Sequence, residues 1–417
     1  MSALELLRLM SGVIGALFLV CYAYQLFYIP VALWRRDEPA RDAPFRRYAV
    51  LISARNEAAV ITQLLETIRD QDYPAGLVTV FVVADNCTDN TAQLARQAGA
   101  QVYERFDRQR VGKGYALDYL LNRIQEDWGD DLFDAYLVFD ADNLLRPDYI
   151  SRMNEAFRDG YQIVTSYRNS KNFGDNWLSA GYGLWFLRDA AFLNAPRARL
   201  GISAVVAGTG FLFSRDLMLK NGGWPFHSLS EDTEFTVYSV LHGERIGYCG
   251  EAELFDEQPT RFSQSWNQRL RWVRGNMQVF FRSGGGLLAG LAGKNGLSCL
   301  DLLLSILPAI VLTVCSVAVG LAVTVLELLG GGSPLPLLLT SLSSFLVPYV
   351  LLLLAGAITT ATQWRHIHAA PWKRVAYTFT FPLFILSYIP ITIAALFGRV
   401  EWKPIEHKAA ASIQQLK

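Results

Sequence analysis

Hydrophobic and polar positions divide the chain into two kinds of material. Four long stretches carry no charge: 9–34, 302–326, 337–364 and 375–398. As helices, each is long enough to cross about 30 Å of hydrocarbon. Gly330-Gly331-Gly332-Ser333-Pro334 separates the second from the third and reads as a turn. The prolines at 308, 348, 382 and 390 fall in the later stretches, where neighbouring groups can satisfy the carbonyls they free. The first stretch lacks the short apolar core and small-residue cleavage site of a secretory signal, so an uncleaved anchor is expected.

Between these stretches the pattern changes to short apolar runs alternating with helical periodicity. Residues 48–53 (YAVLIS), 78–84 (VTVFVVA), 100–104 and 135–140 carry a strand signal, and 58–71, 90–98 and 113–125 a helical one. This alternation predicts right-handed βαβ units and a mostly parallel sheet, an α/β fold. Ligands of such sheets bind beyond the carboxyl ends of the strands. The chain accordingly divides into an anchor at 1–34, a soluble unit at 35–285, an interfacial segment with three further spans at 286–400, and a short tail at 401–417.

Charge sharpens this division. The 417 residues are 52% hydrophobic and 18% charged, which excludes a disordered chain. Basic and acidic residues balance at 38 each, which argues against nucleic acid as a partner. Only twelve of the charged residues lie outside 35–301. Arg35, Arg36, Arg41, Arg46 and Arg47 follow the first span, Arg365, Lys373 and Arg374 separate the last two, and the loop at 330–334 has none. Basic flanks stay in the cytoplasm, so the soluble unit is expected there and the N-terminus outside. The tail, with four basic residues from Arg399 onward, would then lie outside against the same rule, unless the last stretch is re-entrant.

Cysteines at 21, 87, 249, 299 and 315 show no CxxC spacing, so neither a zinc site nor a disulfide framework is expected. His366 and His368 read as part of a basic loop at a headgroup surface rather than as a metal pair. There is no GxGxxG after the first strand and no GxxxxGK[ST], which excludes an ordinary dinucleotide or P-loop site. The segments just past the strands are instead acidic. Asp140 and Asp142, two apart at a strand end, would project to one side and repel unless a hard divalent cation lies between them; the alternative is a simple polar turn. Asp85 opens Asp85-Asn86-Cys87-Thr88-Asp89, which could also cap the next helix. Lys113 could neutralise phosphate or be solvated. Gly208-Thr209-Gly210-Phe211 permits close approach of a ligand to backbone. Ser230-Glu231-Asp232-Thr233-Glu234 is either a catalytic acidic cluster or the acidic first turn of a capped helix. In Gln268-Arg269-Leu270-Arg271-Trp272, the residues Gln268, Arg271 and Trp272 share one helix face, an amide, a guanidinium and an aromatic plate. A basic amphipathic helix at a membrane surface is the alternative there.

Taken in order, Asp85, Asp140-Ala141-Asp142, Glu231-Asp232 and Gln268-Arg269-Leu270-Arg271-Trp272 form a D, DxD, ED, QxxRW series. Over about residues 48–280 the chain resembles the membrane-embedded family-2 glycosyltransferases, the cellulose, hyaluronan and poly-N-acetylglucosamine synthase group. The resemblance implies a GT-A (Rossmann-like) catalytic domain inserted between transmembrane helices and facing the cytoplasm at a bacterial inner membrane. It implies a UDP-sugar donor, UDP-glucose or UDP-N-acetylglucosamine, and Mg2+ or Mn2+ as cofactor. By it, Ser53, Arg55 and Glu57 line the uridine pocket with Asp85 on the base, and Lys113 lies near the nucleotide or its phosphates. Asp140 faces the nucleotide, and Asp142 with it holds the cation. Asp232 is the general base, Arg271 holds the leaving diphosphate beside Gln268, and Trp272 stacks under the acceptor sugar. Gly208–Gly210 matches a segment near the acceptor.

The sequence departs from that group at two points. Ser230 replaces the usual threonine of the ED motif, keeping a hydroxyl, and one span before with three after is few for a secretion channel. The expected reaction is inverting transfer to a growing β-linked polysaccharide; its alternative is transfer of one or a few sugars to a membrane lipid acceptor. A channel or flippase subunit with a degenerate transferase domain is the non-enzyme reading, but none of the expected carboxylates is missing. About 19 residues after the last span leave no room for the c-di-GMP-binding domain that some synthases append. A homo-oligomer is compatible with all of this.

Overall fold

The computed structural model of the chain describes residues 2–34, 43–157, 160–306, 308–330, 334–398, 400, 407 and 413. Arg35, Arg36, Arg41, Gly331–Ser333, Arg399, Lys403, Lys408 and Lys417, on which part of the expected topology rests, lie outside the described residues. In chain order, α1 (Ala3–Leu33) is followed by β1 (Tyr48–Ala54), α2 (Ile61–Arg69), β2 (Val78–Asp85), α3 (Thr91–Gln97), β3 (Gln101–Arg105), α4 (Lys113–Trp128) and β4 (Ala135–Asp140). Then come β5 (Leu144–Leu145), α5 (Tyr149–Phe157), β6 (Ile163–Ser170), α6 (Trp177–Asp189), α7 (Ala195–Arg199), β7 (Phe211–Ser214), α8 (Arg215–Asn221), α9 (Glu231–Leu241) and β8 (Ile246–Asp256). The chain continues through α10 (Phe262–Gly290), α11 (Gly296–Ile306), α12 (Pro308–Leu329), α13 (Pro334–Thr362), α14 (Pro371–Leu386) and α15 (Tyr388–Phe397).

The strands form one sheet in the order β3-β2-β1-β4-β7-β6-β8-β5. Strand β1 is apolar at nearly every position because both of its faces are covered. Tyr48, Val50, Ile52 and Ala54 pack with α2, α3 and α5, while Ala49 and Leu51 pack with α4, α8 and α9. The pairs β1–β2, β1–β4 and β2–β3 are parallel, as the alternating pattern predicts. The second half departs from the prediction: β7 runs antiparallel to both β4 and β6, and β5 antiparallel to β8. Strands β6 and β8 escape sequence reading for a physical reason. Thr165, Ser166, Asn169 and Ser170 are buried polar residues, and β8 carries Gly247 and Gly250, the second opposite a register shift at Ser166/Tyr167. The apolar run 202–207 is not a strand but an unladdered segment leading to β7. The helix predicted at 58–71 starts only at Ile61, since the Glu57 and Ala58 amides are taken by Thr91 and Asp89 of the next loop.

Among the described residues, four regions are long and apolar enough to cross a membrane: Ala3–Leu33, Gly296–Leu329, Phe345–Thr362 and Pro371–Phe397. Arg8 near the start of α1 pairs with Glu327 near the end of α12 at 2.5 Å. At the opposite ends of those helices, Asp301 accepts hydrogen bonds from Tyr28 (2.9 Å) and Arg197 (2.8 Å), tying α1, α7 and α11 together. The Arg197–Asp301 pair is buried, and removing one partner of such a pair costs about 3–5 kcal/mol.

The fourth region takes a different path. Lys373 donates to the Gly174 carbonyl at 2.6 Å, Phe384 presses on Gly181, and Arg274 of α10 donates to the Ala395 carbonyl at 3.1 Å. Ile391 packs with Val273 of α10 and with Ile310, at the beginning of α12. The helix breaks at Ser387 because Pro390 offers no N–H to the Leu386 carbonyl. Both ends of α14–α15 are therefore bonded to the sheet unit or to α10.

Candidate active site

The carboxyl ends of β1, β2, β4, β6 and β8 meet along one edge of the sheet, so residues far apart in sequence become neighbours there. Ser53 of β1 stands opposite Asp140 of β4 in register. The loops after β1 and β2 are joined: the Thr88 amide donates to Asn56 at 2.8 Å, and the two asparagines at their tips, Asn56 and Asn86, have φ of 58° and 54°. Asn tolerates this left-handed conformation better than most residues. Asp85 does not cap the next helix; Asp89 does that work on Thr91. Asp85 is buried and accepts from Arg105 Nη1 at 2.6 Å and from Asn86 at 3.0 Å. Burial raises its carboxyl above the usual range even with Arg105, Asn86 and the nearby Arg55 acting the other way.

Lys113, which opens α4, is not solvated. Its ammonium donates to Asp140 and, at 2.6 Å, to the Gly208 carbonyl. Gly208 has φ of 83°, and a Cβ there would lie 3.1 Å from Asp232 Oδ2. The glycine thus lets the backbone pass directly beneath Asp232. Asp232 sits in the first turn of α9 and accepts from the Thr233 amide at 2.8 Å. Burial raises its carboxyl, opposed by the Thr233 amide, Lys113, Arg168 and Arg271. Burial and the neighbouring Asp232 push Glu231 up to about 7.

Asp140 and Asp142 take different neighbours. The strand ends at Asp140 and the chain turns, so Asp140 meets Lys113 while Asp142 points toward β8. Asp142 is buried; its Oδ2 accepts from the Glu257 amide at 2.7 Å, and its carbonyl accepts from Lys171 at 3.0 Å. His407 reaches back to this point: Nδ1 is 2.8 Å from Glu57 Oε2, and Nε2 is 3.9 Å from Asp142 Oδ2. Burial alone would raise the Asp142 carboxyl, but His407, Lys171 and the Glu257 amide hold it below the usual range. Burial lowers and the two carboxylates raise His407, with a net rise to about 10.

No group of three His, Cys, Asp or Glu among the described residues is arranged to hold a metal by itself. The donor set still suits a hard cation. Mg2+ and similar ions bind through one or two carboxylates and complete their shell with phosphate oxygens and water, and Asp140 and Asp142 provide that number.

Gln268, Arg271 and Trp272 lie on α10 as the spacing predicts. Arg271 acts electrostatically on Glu231 and Asp232. Trp272 stands edge-on to Tyr182 (5.8 Å, 87°) and Phe186 (6.4 Å, 70°). Gln268 Oε1 is buried and has no hydrogen-bond partner among the described residues, which leaves an acceptor for a ligand hydroxyl. Arg269 turns the other way, fully buried, and binds the Phe384 carbonyl at 3.0 Å and the Ser387 hydroxyl at 2.6 Å. The helix is therefore fixed from behind by α14–α15 and is not simply laid on a surface.

Ser230 makes no side-chain cap; it packs on Gly275 of α10, where a Cβ would fall 2.1 Å from its Oγ and 2.8 Å from its backbone nitrogen. Gly275→Ala must therefore push α9 and Asp232 away from α10. We expect a loss of about 1–3 kcal/mol, the usual cost of overpacking, read as a lower thermal unfolding midpoint. Turnover should fall about tenfold or more, since small displacements of reacting groups are costly.

Arg105, Arg168, Lys171, Asp256, Glu257 and His407 are at this edge without having been marked in the sequence. Lys171 and the pair Asp256-Glu257 do come directly after or at the ends of strands, and recognising β6 and β8 would have found them. His407 is a lone histidine in a polar tail and carries no local signal.

A family profile described as "Glycosyltransferase like family 2" matches residues 44–275. The chain is 25% identical over 283 residues to the probable glycosyltransferase YdaM of Bacillus subtilis (strain 168), covering 62% of this chain and 61% of that protein. It is 27% identical over 247 residues to beta-monoglucosyldiacylglycerol synthase of Synechocystis sp., covering 58% and 50%. The chain spans about half to three fifths of the length of these curated relatives. Mannosyltransferase PcManGT from Pyrobaculum calidifontis, solved in complex with GDP-Man and Mn2+, superposes with a TM-score of 0.60 at 18% identity, over 93% of this chain and 99% of that one. The fold is thus of the GT-A (Rossmann-like) kind.

Proposed function

The chain belongs to glycosyltransferase family 2, and from that premise we propose that it transfers a sugar from a UDP-sugar, with inversion, to a hydroxyl of a membrane lipid, one or a few sugars at a time. The observation that carries this reading is the packing of α9, whose first turn holds Asp232, through α10 against α11, where the apolar stretch Gly296–Leu329 begins. Val237 and Val240 of α9 share a buried cluster with Val279 and Leu287 of α10 and Cys299, Leu302 and Ile306 of α11. The relatives named beta-monoglucosyldiacylglycerol synthase agree with that acceptor class.

In this reading Ser53, Arg55, Glu57 and Asp85 receive the nucleoside. Asp232 takes the acceptor proton while the acceptor oxygen attacks the anomeric carbon and the bond to the diphosphate breaks. With Asp232 as base and no carboxylate among the described residues taken as nucleophile, transfer is a single displacement, and an α-linked donor gives a β-linked product. Arg271 offsets the charge growing on the leaving group. Asp142 and Asp140 are the residues that would hold Mg2+ or Mn2+, whose part is to neutralise the diphosphate.

A second reading, extension of a β-linked polysaccharide, is favoured by the aromatic plate of Trp272, braced by Tyr182 and Phe186. The deciding experiment measures nucleotide release by detergent-solubilised protein with Mn2+ and a panel of UDP- and GDP-sugars, with diacylglycerol or glycan as acceptor, and then sizes the product. A lipid-sized product supports the proposal, and a high-mass product replaces it with polysaccharide synthesis. No release with any sugar overturns the transferase reading.

We place the sheet unit on the cytoplasmic face, as the basic residues that follow the first span favour. Because both ends of α14–α15 are bonded to that unit or to α10, this segment dips into the bilayer and returns, and the tail stays on the catalytic side, as its basic residues favour. Gly398→Cys in a cysteine-free background should react with an impermeant thiol reagent from the catalytic side, and Gly330→Cys from the other. Labelling of both positions from one side would contradict this arrangement.

A further inference from the structure

We propose that Arg168 is a positioning residue for the transfer reaction, holding the Ala207–Gly208 backbone in place beneath Asp232; the inference rests on the transferase reading above. Arg168 lies on β6, with its side chain only 13% exposed. Its guanidinium is engaged on every side. Nε donates to Asp256 Oδ2 at 2.8 Å and Nη2 donates to the same oxygen, while Nη1 donates to the Ala207 carbonyl at 2.5 Å. The Cζ atom stands 3.8 Å over the ring of Phe186. Asp256 is oriented in turn by Gln258, which donates to its other oxygen at 2.6 Å. A planar fork held on two edges and one face has no freedom to rotate.

The bond to Ala207 gives this arrangement its meaning. The next carbonyl, that of Gly208, accepts from Lys113 at 2.6 Å, so two cations from opposite sides of the site pin two successive carbonyls. Lys113 comes from α4 on the Asp140 side, and Arg168 from β6 on the Asp256 side. The peptide they hold is the one that passes 3.1 Å from Asp232 Oδ2, measured from the position a Cβ on Gly208 would take. In this proposal the acceptor hydroxyl presents its proton to Asp232 beside this backbone. Phe186, beneath the guanidinium, also braces Trp272 at 6.4 Å. Arg168 therefore fixes the loop under the base and the floor beside the acceptor together. A purely structural role is a poor account of it, since β6 and β8 are already paired through their backbones from Ile163 to Ser170.

The test compares Arg168→Gln and Arg168→Lys with wild type as purified full-length protein, reading kcat, acceptor KM, UDP affinity with Mn2+ and thermal unfolding. Arg168→Gln should lower kcat about ten- to a hundredfold, the scale of a small misplacement of reacting groups, with UDP affinity within about twofold of wild type. Acceptor KM should rise. Arg168→Lys should recover part of kcat, because an ammonium can reach one of the two oxygens but cannot fork across both. Unchanged kcat in Arg168→Gln overturns the proposal, as does a loss of kcat matched by loss of UDP affinity or of thermal stability in both variants. Turnover by wild type with normal turnover by the variant sinks this role alone; absence of turnover in wild type sinks the transferase reading and this inference with it.

Discussion

Asp232→Asn should lower turnover at least about a hundredfold, the low end for loss of a general base, while leaving UDP affinity within about twofold. The expectation rests on where the carboxylate is placed. It stands at the positive end of α9, above the Gly208 backbone, with Lys113 and Arg271 close enough to act on it. Burial nonetheless raises its carboxyl above the usual aspartate range, which makes the anion a better proton acceptor. This sets the sign of the pH dependence. The reactive form is deprotonated, so activity is full above the raised value and is lost as pH falls through it, earlier than an exposed aspartate would allow. Burial and the neighbouring Asp232 also push Glu231 up, to about 7. Near-normal turnover by the asparagine variant would remove Asp232 from the role.

Asp142→Asn should weaken Mn2+-dependent UDP binding at least about a hundredfold; loss of a partner one layer further out already costs about 10–100-fold at metal sites. Asparagine keeps the size of the side chain and can still accept from the Glu257 amide, so the local fold should survive. What it loses is the negative charge that Lys171 and His407 now share. Calorimetric titration of UDP with and without Mn2+ separates the effects, since the metal-independent part should change little. Wild-type metal dependence in this variant would assign the cation to Asp140, on the Lys113 side of the site.

The motifs legible in the chain share a physical property. Ser53, Arg55, Asp85 and Asp140 stand at or just beyond the ends of strands whose apolar runs are unbroken, because those strands are buried on both faces. Lys113, Asp232 and Gln268–Trp272 lie on helices whose periodicity or acidic first turn shows in the sequence. In all of these, local pattern and chemical identity coincide. Where they part, the sequence is silent. Strand β6 is polar inside, so Arg168 looks like one charge in a hydrophilic stretch. Asp140 and Asp142 look like an equivalent pair until their partners, Lys113 for one and the Glu257 amide for the other, distinguish them.

The sequence by itself determined the α/β alternation, the order of the acidic motifs, the helical face of Gln268, Arg271 and Trp272, and the uncharged stretches long enough for a bilayer. Each is set by a short-range period or by chain length against a fixed thickness. Only the tertiary structure decided that β7 enters antiparallel, that Arg168 and Lys113 meet one loop from opposite sides, that His407 returns to Glu57 and Asp142, and that both ends of α14–α15 stay with the sheet unit and α10. Hydrophobic periodicity records which face of an element is buried but not which element covers it. Those four features join residues from 39 positions apart, Arg168 to Ala207, to 350 apart, His407 to Glu57.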